Sequence, residues 1–130
     1  MNDGERYSEV VRRLFEAMPC AGPLPDGAGL PVTGEAVALD RGAWVRFDAR
    51  VLRGRFVTGS FRAWGCPHVL AAAARTAERL SGSSVGTDGG CDARELIETL
   101  AAPVEKLGRF LVVEDAHRGL LTAARAVQSS

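Results

Sequence analysis

Cysteine is scarce in this chain of 130 residues: Cys20, Cys66 and Cys91 stand far apart and form no CxxC pair. An odd number at such spacings argues against a disulfide framework and against a self-contained zinc knuckle. Charge of one sign is missing too. The 16 basic and 16 acidic residues cancel, which removes the electrostatic footprint of a nucleic-acid binder. No apolar run approaches the roughly 20 residues that span a bilayer. The opening MNDGERYSEVVRRLF is charged from its third residue, unlike the apolar core of a signal peptide. A cytoplasmic protein without nucleic-acid or membrane partners is the expectation. What is present is ordinary for a globular chain: 46% hydrophobic and 25% charged residues, at a length that fits one domain over residues 1–130. Arginine far outnumbers lysine, a compositional habit rather than a binding signal.

Periodicity divides the chain. Residues 6–18 predict an amphipathic helix with Val10, Leu14 and Met18 on one face. Residues 19–34, PCAGPLPDGAGLPVTG, are dense in Pro and Gly and read as a loop, too apolar to float free of the body. Three strand candidates follow at 35–40, 43–52 and 53–65. In the second, Val45, Phe47, Ala49 and Val51 alternate with Arg46, Asp48 and Arg50, the pattern of a half-buried strand. The tight LRGR turn before the third implies an antiparallel meander. The second half is helical: 67–80 with Pro67 at a favourable first position, then a loop over 81–90. A third helix spans 92–101 with Asp92 and Glu95 at capping-box spacing, and a long helix spans 107–127. The order predicts an α+β domain, helices packed on one face of a small three-stranded antiparallel sheet.

FRAWGCPHVLAAAA (61–74) places Cys66 between a strand and a helix N-terminus, where unpaired N–H groups and the macrodipole favour thiolate. Position alone equally suits a small buried side chain in a good turn. His68 completes a C-x-H pair, but two ligands do not make a zinc site, and a surface or capping histidine is the preferred reading. His117 lies at helical spacing among Phe110, Leu120 and Ala124, as a histidine packed at the core boundary would. Cys20 and Cys91, in Gly/Pro-rich surroundings, read as incidental. Glu114 and Asp115 are neighbours on a helix and cannot face each other as a catalytic pair; they read as solvated or capping charges. No hydrolase, metalloprotease or P-loop motif is present, so an enzyme is not expected.

Three segments carry a resemblance: RYSEVVRRLFEAMPCAGPLP, FRAWGCPHVLAAAA and LAAPVEKLGRFLVVEDAHRGLLTAA. Together they are similar to the opening helix and loop, the strand–Gly–Cys–helix segment and the closing helix of the IscU/NifU N-terminal family of iron–sulfur cluster assembly scaffolds. The resemblance covers almost the whole chain. It implies a role as a scaffold-like protein of cluster assembly, iron or a [2Fe–2S] cluster as cargo, and cysteine desulfurase or other cluster-assembly proteins as partners. Family members hold the cluster with three cysteines, an aspartate and a nearby histidine on three loops. Carried over position by position, the family's Cys-Gly-Asp loop is Arg41-Gly42-Ala43 here, its middle cysteine is Cys66, and its His-Cys pair is Gly108-Arg109. The family's Leu-Pro-Pro-Val-Lys segment is reduced to APVEK, with Pro103 and Lys106 matching, and Asp40 is the nearest substitute oxygen ligand. The resemblance therefore implies a degenerate site with Cys66 as its remaining metal ligand, acting through protein contacts or through a single thiol, and holding no stable cluster on one chain. A homodimer would pool two Cys66 thiols. The alternatives are a SufE-like sulfur acceptor carrying persulfide on Cys66, and a non-metal anion-binding or regulatory module using Arg41 and Arg109.

Overall fold

The computed structural model describes residues 7–86 and 91–128. Arg6 of the first predicted helix and the last residues of the 81–90 loop lie outside that range. Helix α1 runs from Glu9 to Ala17, capped by the Ser8 hydroxyl, which accepts from the Val11 N–H at 3.1 Å. Strands β1 (Leu30–Ala38), β2 (Ala43–Leu52) and β3 (Arg55–Trp64) form a sheet in sequence order with both pairs antiparallel. Helices α2 (Pro67–Glu78), α3 (Ala93–Thr99) and α4 (Leu107–Gln128) follow. A short 3-10 turn, Leu39–Arg41, joins β1 to β2, and another, Val104–Lys106, leads into α4. The expected α+β layout is what the chain adopts.

The alternation in β2 decides which face of the sheet is covered. Val45, Phe47, Ala49 and Val51 are buried beneath α4, which lies across β1 and β2, while α2 packs on β3 and α1 on α2. Phe47, Phe61 and Phe110 meet with Leu120, Val69 and the alanines of α2 in one core. The β2–β3 turn puts Arg53 and Gly54 both at positive φ, 55° and 77°, the two-residue geometry whose twist suits a hairpin.

β1 is longer at its start than the sequence suggests. It begins at Leu30 rather than 35, because Pro31 is tolerated on an edge strand and Gly34 serves packing rather than a turn. A Cβ at Gly34 would overlap the Leu120 amide nitrogen and the Ala116 carbonyl, so α4 can lie on the sheet only where this side chain is absent. The preceding loop does lie against the body. Ala21 bridges Phe61 at the β3 edge, and the outward-facing Arg50 donates to the Pro25 and Gly29 carbonyls at 2.9 and 3.3 Å.

The opposite face of the sheet is polar and partly open. Asp48 is buried there under Arg46 and Arg62 and accepts the Thr33 hydroxyl at 2.6 Å. Burial pushes its carboxyl up, yet the hydrogen bonds from Arg46, Thr33 and Arg62 and the Arg46 charge together hold it below the ordinary carboxylate range. Asp92 caps α3 through the Arg94 N–H at 2.9 Å, but the reciprocal half of the predicted capping box gives way to an ion pair, Glu95 reaching Arg79 at 3.1 Å. Glu114 provides the second cap instead, accepting from the Ala93 N–H at 2.8 Å. The reading of Glu114 as a capping charge is thus correct, and Arg118 bonds both it and Asp115 at 2.8 Å.

Candidate functional site

Three connections meet at one end of the sheet. Gly65 ends β3 with φ at 150°, a conformation that favours glycine, and a Cβ there would stand 3.1 Å from the Gly42 carbonyl. The 3-10 turn after β1 and the strand-to-helix turn at Cys66 are thereby brought together. The N-terminus of α4 completes the group. A Cβ at Gly108 would overlap the Arg41 guanidinium, and Arg109 donates from Nε to the Arg41 carbonyl at 3.1 Å. Arg41, Gly108 and Arg109 are therefore in mutual contact, with Gly42 and Gly65 joining Cys66 to them along the chain. Ala43 is fully buried at the start of β2 and presents nothing to this surface.

Cys66 occupies the N-cap of α2, half-buried, and its side chain makes no capping hydrogen bond. Pro67 takes the first helical position, as its fixed φ and missing N–H favour. His68 overturns its expected surface or capping place: it is 1% exposed, with its ring tilted against that of Tyr7 at a centroid distance of 4.9 Å. The N-terminal segment covers the first turn of α2, a contact that local sequence does not announce. Among the described residues no three His, Cys, Asp or Glu side chains are grouped so as to hold a metal ion. Around this end the surface is apolar. Leu39 and Val104 are 78% and 74% exposed, and Val37, Trp44 and Trp64 are side by side in register across the three strands. The Trp44 indole is fixed by the Glu35 carboxylate at 2.5 Å. A thiol, guanidinium groups and an apolar rim can accept an anion or a protein surface; guanidinium has no lone pair to give a metal.

The other two cysteines differ in kind. Cys20 is exposed with φ at 67°, and burial followed by the Glu78 charge raises its thiol. Cys91 lies 3.7 Å from the Thr76 hydroxyl and is pushed up to about 12, first by burial and then by the charges of Glu114, Asp92 and Glu95, with the Thr76 contact opposing. Cys91 lines a cavity with Glu114, His117 and Arg118. Sequence reasoning kept Cys91 and His117 apart because 26 positions separate them and only the packing of α3 on α4 joins them. No helix among the described residues is long and apolar enough to cross a membrane.

Comparison with solved structures extends the fold reading. The chain is similar to a protein from Fervidobacterium islandicum described as an iron–sulfur cluster assembly scaffold for the SUF system, at 16% identity, with 88% of this chain and 96% of that one covered and a TM-score of 0.68. It is similar to the N-terminal part of a NifU-like protein from Brucella abortus at 12% identity, with coverage of 95% and 94% and a TM-score of 0.62. No family model matches the chain, and no curated protein does. At these identities the comparison establishes a shared fold.

Proposed function

From the fold shared with cluster-assembly scaffolds, we propose that this chain is a scaffold-type protein of iron–sulfur cluster assembly that acts through protein contacts and does not itself hold a cluster. The observation that carries the reading is the seat of Arg41 on Gly108. A guanidinium fills the loop end where a cluster-holding protein of this fold needs thiolate or imidazole. Clusters take about four protein ligands, mostly thiolates. Cys66 with Arg41 and Arg109 does not supply that donor set, and no step through a cluster is derived for it. Asp40 is an exposed carboxylate beside Arg41, and one oxygen added to one thiol still falls short.

The surface that remains suits a partner. Leu39, Trp64 and Val104 are exposed apolar side chains on or next to the three connections that meet at this end, which also holds a half-buried thiol and cations, the mixture from which protein interfaces draw their anchors. A cysteine desulfurase or another cluster-assembly protein is the partner of this rim, and Cys66 is presented to it as a single thiol. The test is a binding titration of the full chain against the cysteine desulfurase of the same source. Saturable binding is expected, weakened about tenfold by Leu39→Asp. Absence of a complex, or a complex indifferent to Leu39→Asp and to Val104→Asp, overturns the reading. Both positions are exposed, so these variants are expected to fold.

A further inference from the structure

The end of the sheet opposite Cys66, where β2 turns into β3, carries a cavity of another kind. It lies between the start of β1, the β2–β3 turn and the end of α4, and has a volume of about 510 Å³. Leu30, Val51, Leu52 and Val127 line it together with the turn residues Arg53 and Gly54. That volume falls within the range of small-molecule sites, about 300–1,000 Å³.

Most of the lining is aliphatic. Val51 is buried, whereas Leu30 and Leu52 are 57% and 40% exposed, so apolar surface faces water at a concave place that a carbon chain can cover. Each methylene buried against it raises affinity about fourfold.

Arg53 sets the other half of the ligand. Among the described residues it is the one charged group of the lining, and its side chain enters no ion pair or hydrogen bond. Its neighbours on the hairpin are engaged: Arg50 donates to the Pro25 and Gly29 carbonyls and faces Asp26 at 4.0 Å, and Arg55 donates to the Gly82 carbonyl at 2.9 Å. The Arg53 and Gly54 N–H groups likewise donate to no described residue, as in the centre of a two-residue hairpin turn. Arginine is not what the turn itself asks for, since a first position with φ at 55° suits Asn, Asp or Gly. A free guanidinium forks onto a carboxylate through two parallel hydrogen bonds. The head of the ligand belongs at the turn, because α4 ends at Gln128 and the carbonyls of a helix C-terminus disfavour an anion.

We propose that this cavity binds an aliphatic monocarboxylate of about eight carbons, its carboxylate on the Arg53 guanidinium and its tail along Leu30, Leu52 and Val127. The probe is octanoate, titrated into the isotope-labelled full chain at constant ionic strength and read by amide chemical shifts. Butyrate keeps the head and loses half the tail; 1-octanol keeps the tail without the charge. Octanoate is expected to give saturable shifts at residues 29–30, 51–54 and 127, with butyrate at least tenfold weaker and 1-octanol about fivefold weaker. Arg53→Asn is expected to lower octanoate to the level of 1-octanol. Asn-Gly is a preferred pair for this turn, so the variant is expected to fold. No saturable shift at these residues, octanoate no tighter than butyrate, or octanoate unaffected by Arg53→Asn overturns the proposal. Shifts there that follow protein concentration instead of octanoate also overturn it, and assign the groove to a second copy of the chain.

Discussion

Cys66 and Cys91 both stand next to a helix N-terminus in sequence, yet the fold packs different groups around each. Cys66 occupies the N-cap of α2 and shares its end of the sheet with Arg41 and Arg109. Cys91 lies beside the short helix α3, within reach of three carboxylates that push its pKa up to about 12 after burial has begun the shift. The lesson is that local motif alone does not assign a cysteine. What the fold packs around a thiol governs its chemistry, as the burial and carboxylates around Cys91 show.

The largest effect comes from removing what supports both places at once. α4 carries Gly108 and Arg109 at its start and His117 and Arg118 further on, and it lies on the sheet only because Gly34 has no side chain. Gly34→Ala is expected to destabilise the chain by about 3 kcal/mol, since backbone atoms of Leu120 and Ala116 must move. Urea unfolding measures this, and an unchanged midpoint would show that α4 adapts.

The next effect separates the cysteines. Between its ordinary value near 9 and about 12, the Cys91 thiol keeps its proton in the folded chain and loses it in the unfolded one. The unfolded state then binds fewer protons, so stability falls as pH rises through this window. By pH 10 the loss is expected to be about 1 kcal/mol relative to Cys91→Ala, which lacks the group. Alkylation at pH 8 should likewise leave Cys91 unmodified, because only about one part in ten thousand is thiolate there. A parallel pH profile in the two chains would contradict the assigned surroundings of Cys91.

Much of this was legible in the sequence, for physical reasons that can be named. The alternation of Val45, Phe47, Ala49 and Val51 depends on nothing but the two faces of a strand, and Pro67 marks a helix start by its own geometry. The loop end could be assembled only by family resemblance, since Arg41, Cys66 and Arg109 are distant in sequence. β1 was read too short because Pro31 and Gly34 look like turn residues; one tolerates an edge and the other makes room for α4. His68 was misplaced because its burial depends on Tyr7, some 60 positions away. The Cys91–His117 cavity was invisible for the same reason: long-range packing leaves no local periodicity.

The smallest effect tests the Arg41 seat. Gly108→Ala displaces only the far end of a flexible side chain, while alanine favours helix over glycine by roughly 0.5–1 kcal/mol. Stability is expected to stay level or rise by a few tenths of a kcal/mol, with desulfurase binding altered because Arg41 must leave its seat. A loss beyond 1 kcal/mol would mean that Arg41 is held rigidly, as a structural strut.

The central claim concerns the loop end itself, and anaerobic reconstitution addresses it most directly. The chain is mixed with ferrous iron and sulfide, desalted without air, and its visible spectrum and iron content are recorded. The expected result is a colourless protein without retained iron, because one thiol falls short of about four ligands and the guanidiniums of Arg41 and Arg109 have no lone pair to add. A stable cluster absorption that survives desalting and disappears in Cys66→Ser would contradict it.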